Sequence, residues 1–285
     1  MPPGGLIEVV AVRGLSTVQD AGRPGWMHDG VPPGGALVPE LAARANLAVG
    51  NPGDAPLIEV FGGLTVTVRG LVGTLSAEDG FVRSVSPGEP FEVPPSRSLG
   101  VRYVAIAGGL DVPRALGGRG TLRVASLGGH EGRALARGDR IAVGDATHAA
   151  RPATGSTALD LSLAVRVVAG PHLECFDADA LDALVCSSFT VLASSDRAGT
   201  RLSGPTLGRS GEDVSRSMPM VRGAIQVPAS DQPIVLGPDH PTTGGYPVIA
   251  VVARADLGRF FARPIGAAVR FTRVPLDEAR ALVLA

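Results

Sequence analysis

LIEVFGGLTVTVRGLVGTLSAEDGFVRSVSPGEPFEVPPSRSLGVRYVAIA, residues 57–107, is the stretch on which the fold class turns. Within it, Leu57–Phe61, Leu64–Arg69, Phe81–Val85, Phe91–Val93 and Val101–Ala107 are short strand-like runs, each bounded by Gly or Pro. Brief strands at such close spacing predict a barrel or sandwich rather than alternating β and α units. Upstream, Leu6–Arg13 alternates and predicts another strand, whereas Leu15–Gly35 has the Gly and Pro density of a loop. Val38–Val49 changes pattern: Pro39 sits at a first-turn position, Glu40–Leu47 follows, and Gly50-Asn51-Pro52 closes a short helix.

Downstream, Leu163–Val168 begins a second β series, continued by Thr190–Ala193, Ala224–Val227, Pro233–Leu236, Val248–Val252 and Val269–Val274. Short helices are expected at Ala178–Val185, Ala255–Phe261 and Leu276–Leu284. Asp145–Asp160, rich in Ala, Thr, Ser, Pro and Gly, is the linker candidate, dividing residues 1–150 from 160–285. Ser86–Val93, Ala136–Val143 and Ala262–Phe271 echo one another, each a turn glycine followed by an alternating strand. The expected class is mainly β with a few short helices.

Composition narrows the function. Hydrophobic residues make up 45% of the 285 and aromatics only 4%, so aliphatic side chains must fill the core. Gly (39) and Pro (24) read as turn punctuation, because a disordered chain would carry more charge and fewer aliphatics. The net charge of −1, with no basic stripe, gives no argument for nucleic acid. All 26 basic residues are arginine, so the chain can hold no P-loop lysine, Schiff-base lysine or lysine-linked biotin. Cys175 and Cys186 are too few and too far apart for a zinc knuckle or redox pair, and Cys186, after Leu181–Val185, reads as a buried thiol. His28, His130, His148, His172 and His240 show no metal-ligand spacing, and no metal is expected. With neither a signal peptide nor an apolar run long enough for a membrane, a cytoplasmic protein is expected.

Three constellations carry chemistry. The first, Thr17–Gly25, brings Gln19, Asp20 and Arg23 into a glycine-rich loop suited to a polar ligand. The second, Ser194–Arg201, ends a strand in Ser195, Asp196, Arg197 and Arg201, where an arginine fork suits a carboxylate or phosphate. Both also fit plain turns stapled by ion pairs and Asp-to-backbone bonds. The third joins Gly223–Pro228 to Asp239–Pro247, with Gln226, His240, Thr242, Thr243, Gly244, Gly245 and Tyr246. That density of donors and acceptors exceeds what a turn requires, and His240 is the one histidine placed to act as acid or base.

These motifs, together with Gly30-Val31-Pro32, Ala45–Asn51 and Ala107–Pro113, resemble the allophanate hydrolase subunit 2 family, also called the biotin-dependent carboxyltransferase family, to which the C-type component of 5-oxoprolinase belongs. The matches run in order from about residue 15 to 271. The resemblance implies two cyclophilin-like β-barrel subdomains and a B-like partner protein of the Kip inhibitor type. It implies a hydrolase complex, with an A-like protein as a further member, that uses ATP to open 5-oxoproline to glutamate. An alternative is carboxyl transfer from carboxybiotin, carried on a separate chain, to urea or a similar amide; another is a non-catalytic regulatory partner. Under this resemblance Gln226, Thr242, Thr243, Gly244, Gly245 and Tyr246 frame a small amide or lactam, with Gln19 and Arg23 as further substrate contacts. Arg197 and Arg201 hold its anionic group, Ser195 and Asp196 are further substrate contacts, and Asp20, Asp239 and Thr243 are the catalytic candidates. The chain departs from the family pattern at Gly34, Val38, Gly118, Met218 and Pro241; the two at 218 and 241 replace polar residues beside the third constellation.

Overall fold

A computed structural model describes residues 5–70, 73–79, 81–146, 159–210 and 217–282. Most of the expected linker, and His148 within it, lies outside the described residues. The chain divides into two compact units, Met1–Pro24 with Pro33–Ala158, and Gly25–Pro32 with Leu159–Ala285. Both are built mostly of strands, as the close spacing of Gly- and Pro-bounded runs predicts.

In the first unit the strands are β1 (Leu6–Gln19), β2 (Leu57–Arg69), β3 (Gly73–Ala77), β4 (Val82–Val85), β5 (Pro90–Val93), β6 (Arg102–Ile106), β7 (Leu110–Asp111) and β8 (Arg140–Val143). They form one sheet in the order β4-β3-β6-β2-β1-β8-β7, with β5 also on β2. Among the described residues, inward side chains of this sheet such as Ile7, Val9, Val18, Ile58, Val60, Val66 and Ile106 pack into one apolar cluster. The long β1·β2 ladder corrects the sequence reading twice. The strand at Leu6 continues through the supposed loop to Gln19, and Leu57–Phe61 and Leu64–Arg69 are one strand. Gly14 faces Gly62 at its middle. Both have positive φ, 91° and 111°, and a Cβ on either would lie 2.2 or 2.1 Å from a carbonyl oxygen of the facing strand. The glycines that look like strand ends therefore let two backbones touch without interrupting the ladder.

Helix α1 (Pro39–Ala48) matches expectation and has no side-chain N-cap. The amides leading into it are served from the sheet instead. Glu59 accepts the Leu37 N–H at 2.6 Å. The Tyr103 hydroxyl accepts the Val38 N–H at 2.8 Å and donates to the same Glu59 carboxylate at 2.9 Å. Glu59 and Tyr103 are fully buried, and this network fixes where the helix starts.

In the second unit, β9 (Val165–Ala169), β10 (Ser188–Val191), β11 (Gly199–Ser203), β13 (Ala224–Gln226), β14 (Ile234–Leu236), β16 (Val248–Val252) and β17 (Ala268–Arg273) close into a barrel. A separate pair joins β12 (Met218–Pro219) to β15 (Thr243–Gly244). Among the described residues, β17·β9 is the one parallel barrel pairing. Helices α2 (Ala180–Cys186), α3 (Leu257–Phe261) and α4 (Leu276–Ala281) accompany it. Buried Phe271 stacks on Phe260 with ring centroids 6.2 Å apart and meets Phe189 at 6.1 Å with the rings tilted by 57°. Arg263, buried, donates to the carbonyls of Leu161 and Leu163 at 2.9 and 3.0 Å and so anchors the approach to β9. Cys186 is exposed rather than buried, because it ends α2 on the face away from Leu184.

Candidate functional site

In the first unit, β1 carries Gln19 and Asp20 into a loop spanning 115–121. Asp20 accepts N–H bonds from Gly22 and Gly120 on one oxygen, at 2.8 and 3.1 Å, and from Arg119 on the other at 2.5 Å. Gln19 donates to Thr17 Oγ1 and the Thr121 carbonyl, both at 3.1 Å. Arg23 donates from Nε to the Ala115 carbonyl at 3.3 Å and from its terminal nitrogen to the Gly120 carbonyl. Gln19 and Arg23 have essentially no exposed surface. These two, expected as substrate contacts, pin the loop from within, while Asp20 remains at a surface.

That surface is the wall of a cavity of about 480 Å³, where Asp20 meets Asn51, Asp54, Asp111 and Arg114. Asn51 holds the wall together. Its amide donates to the Ile106 carbonyl at 2.8 Å, and its oxygen accepts the Gly108 N–H at 2.9 Å. The motifs at Thr17–Gly25, Ala45–Asn51 and Ala107–Pro113, far apart in sequence, thus share one structural purpose. Asp54 and Arg114 stand alone in the sequence, with no spacing that could have marked them.

In the second unit, Ser195–Arg201 closes as a turn. Asp196 accepts the amides of Ala198 and Gly199 at 2.8 and 3.0 Å, and Ser195 Oγ accepts the Arg201 N–H at 3.0 Å. Arg197 is buried and grips Asp239 with two parallel bonds of 2.8 and 2.9 Å. The arginine expected to hold an anion and the aspartate expected to move a proton are therefore partners of each other. Arg201 points outward from β11.

The structure brings residues of the third constellation together. The β12·β15 pairing sets Met218 opposite Gly244 and Pro219 opposite Thr243. Gln226 lies beneath, its amide 3.2 Å from Met220 Sδ and 3.4 Å from the Tyr246 carbonyl, and a Cβ on Gly244 would approach that amide to 2.8 Å. Thr243 and Tyr246 are exposed and Thr242 half-buried. The result is an open polar face.

Two histidines flank it. His172 accepts the Val248 N–H on Nδ1 at 3.0 Å, which leaves Nε2 as the protonated nitrogen of the neutral ring, 3.0 Å from Met218 Sδ. Nothing in the spacing around His172 marks it, since its neighbours come from distant strands. His240 is buried against the Pro241 carbonyl at 2.7 Å, and burial holds its pKa below the ordinary histidine value. It is a neutral core histidine.

Residues 29–273 match the model of the carboxyltransferase domain, subdomain A and B. The chain belongs to this family. As a carboxyltransferase-domain protein it is 33% identical to the C-type component of Escherichia coli 5-oxoprolinase, over 96% of this chain and 93% of that one. It is 28% identical to the urea amidolyase of Lachancea kluyveri, covering 96% of this chain but 17% of the relative. The solved urea amidolyase of K. lactis superposes with a TM-score of 0.81 at 26% identity, over 97% of this chain and 19% of that one. The chain thus spans less than a fifth of either urea amidolyase.

Proposed function

We propose that this carboxyltransferase-domain chain is the C-type component of an ATP-dependent 5-oxoprolinase, opening 5-oxoproline to glutamate with a B-like, Kip inhibitor-type partner and an A-like one. The observation that carries this reading is the similarity, across nearly the whole of both chains, to the C-type component of a bacterial 5-oxoprolinase. Gln226, Thr242, Thr243 and Tyr246 orient the lactam on the open face of the second unit. The Gln226 amide and the threonine hydroxyls offer both donors and acceptors to a ring N–H and C=O. An exposed face binds a small polar molecule poorly, because water competes for every hydrogen bond and screens every charge. A partner chain seated on Thr243 and Tyr246 supplies the missing wall, so the activity belongs to the complex. ATP phosphates find no P-loop lysine in this chain. Asp239 is scaffold in this reading, and the proton-transfer group comes from elsewhere in the complex.

Carboxyl transfer to urea from biotin on a separate chain is the second reading, supported by the urea amidolyase similarity. Reconstitution separates the two. The chain is combined with its B-like and A-like partners, or with a biotin carboxylase and carrier, and ATP consumption is followed with 5-oxoproline and with urea. Stimulation by 5-oxoproline supports the first reading and stimulation by urea the second. If neither stimulates ATP use, both catalytic readings fail.

A further inference from the structure

Two N–H donors of the second unit end on sulfur. His172 Nε2 lies 3.0 Å from Met218 Sδ, and the Gln226 amide lies 3.2 Å from Met220 Sδ. Both donor residues are more than nine-tenths buried, with 6% and 7% of their surface exposed. A thioether is a weak acceptor, so neither donor is well satisfied by it. Gln226 has a second contact at the Tyr246 carbonyl, 3.4 Å away. Among the described residues, Met218 Sδ is the only partner of His172 Nε2. The ring is oriented by β16: the Val248 N–H donates to Nδ1 at 3.0 Å, which places the ring hydrogen on Nε2. That nitrogen then has no lone pair for a metal ion, and it can only donate.

Met218 covers this donor from the solvent side. It is 37% exposed on β12, and its partner across the pair is Gly244 of β15. Gly244 lies in turn against Gln226 and Met220: a Cβ there would meet the Gln226 amide nitrogen at 2.8 Å and Met220 Cγ at 3.2 Å. His172, Met218, Gly244 and Gln226 are thus neighbours in series, on the face assigned to the lactam. A methionine side chain turns about three bonds, and moving Met218 outward costs one N–H···S contact. A carbonyl oxygen taking its place is the stronger acceptor. A carboxylate fits less well, because this neutral donor brings no counter-charge for a buried anion.

We propose that His172 binds the carbonyl oxygen of the substrate through its Nε2–H, with Met218 as the cap that the substrate displaces. This rests on the reading that the second-unit face takes the lactam, and it adds a buried donor to the exposed Thr243 and Tyr246. Water competes less for a buried donor, so His172 contributes what the exposed side chains of the face lack.

Two replacements separate this role from a structural one. Asn puts an amide oxygen near the place of Nδ1, where it still accepts the Val248 N–H, but it has no group at the place of Nε2. Gln puts an amide N–H at the place of Nε2 and gives up the Nδ1 acceptor. Each is assayed in the reconstituted complex by 5-oxoproline-dependent ATP use. His172→Asn should lower kcat/KM by about tenfold, the loss of one hydrogen bond to substrate, while the unfolding midpoint of the chain stays at its wild-type value. His172→Gln should keep kcat/KM within about threefold of wild type, although its midpoint falls. Met218→Ala, which removes the cap, should lower KM by about threefold. Any result in which Gln is not the more active of the two histidine variants overturns the proposal, as does a KM that fails to fall in Met218→Ala. A wild-type complex without 5-oxoproline turnover fails the reading of the face, and this role with it. Turnover that His172→Asn leaves intact fails this role alone.

Discussion

Arg197 and Asp239 show how a side chain that reads as chemistry becomes architecture. In sequence each is a free charge beside a polar loop. In the structure they form a buried two-bond pair that also ties the backbone, since the Asp239 N–H donates to the Arg197 carbonyl at 3.1 Å. Replacing the carboxylate breaks a buried, charge-assisted pair, so Asp239→Asn should lower the unfolding free energy by about 3 kcal/mol, read by urea denaturation. Asp139 makes the pH-dependent counterpart in the first unit. The Arg133 guanidinium holds its carboxyl down to about 2, helped by the Ala136 N–H against the opposing effect of burial. A depressed acid stabilises the fold fully above its ordinary range and loses that contribution as pH falls through about 2. Asp139→Asn should therefore cost about 1 kcal/mol at neutral pH, discounted for the half-exposed arginine, and the difference from wild type should vanish near pH 2 in acid-unfolding curves. Thr243 has no such structural duty. Thr243→Val should leave the unfolding midpoint unchanged and reduce 5-oxoproline-dependent ATP use by the reconstituted complex by about tenfold or more, the loss of one hydrogen bond to substrate. An unchanged rate would move the substrate off this face.

At the scale of elements, turns were easier to read than ladders. The echo between Ser86–Val93, Ala136–Val143 and Ala262–Phe271 is real geometry. Gly88, Gly138 and Gly266 have φ of 83°, 92° and 82°, and each donates its N–H to a neighbouring segment, at Val68, Val9 and Val191 respectively. In all three, the next residue's N–H closes the turn on the carbonyl three positions back. Such turns are local, so the residues that make them are adjacent in the chain. The Gly14·Gly62 crossing is not local. Each glycine exists because of the other strand, and a reader of the chain sees only a Gly-Gly break between two apolar runs. Gly62→Ala should destabilise the protein by at least about 2 kcal/mol through the clash with the Arg13 carbonyl and the forced positive φ, measured by thermal or chemical unfolding. A neutral result would mean that the crossing relaxes without cost. The two-residue strands β12 and β15 escaped the sequence for a related reason: they have no periodicity of their own, only a partner.

For the molecule as a whole, the two units present different surfaces: a cavity lined by charged residues in the first and an open polar face in the second. The open face leads to a prediction at this scale. The isolated chain should show no ATP use with 5-oxoproline, and adding the B-like and A-like partners together should create it; turnover by the chain alone would remove the need for a covering partner. The mostly-β class, helix α1, the glycine turns and the lysine-free chemistry were set by the sequence itself, because they depend on local propensity, periodicity and composition. The family, too, was legible from the ordered motifs between Thr17 and Pro247. What each motif does was decided only by the tertiary structure. Gln19, Arg23, Arg197 and Asp239 turned inward to satisfy backbone and one another, while Asp54, Arg114 and His172 came forward from unremarked positions. The physical reason is that a polar side chain's role is set by what completes its hydrogen bonds, and those partners lie up to about a hundred residues away.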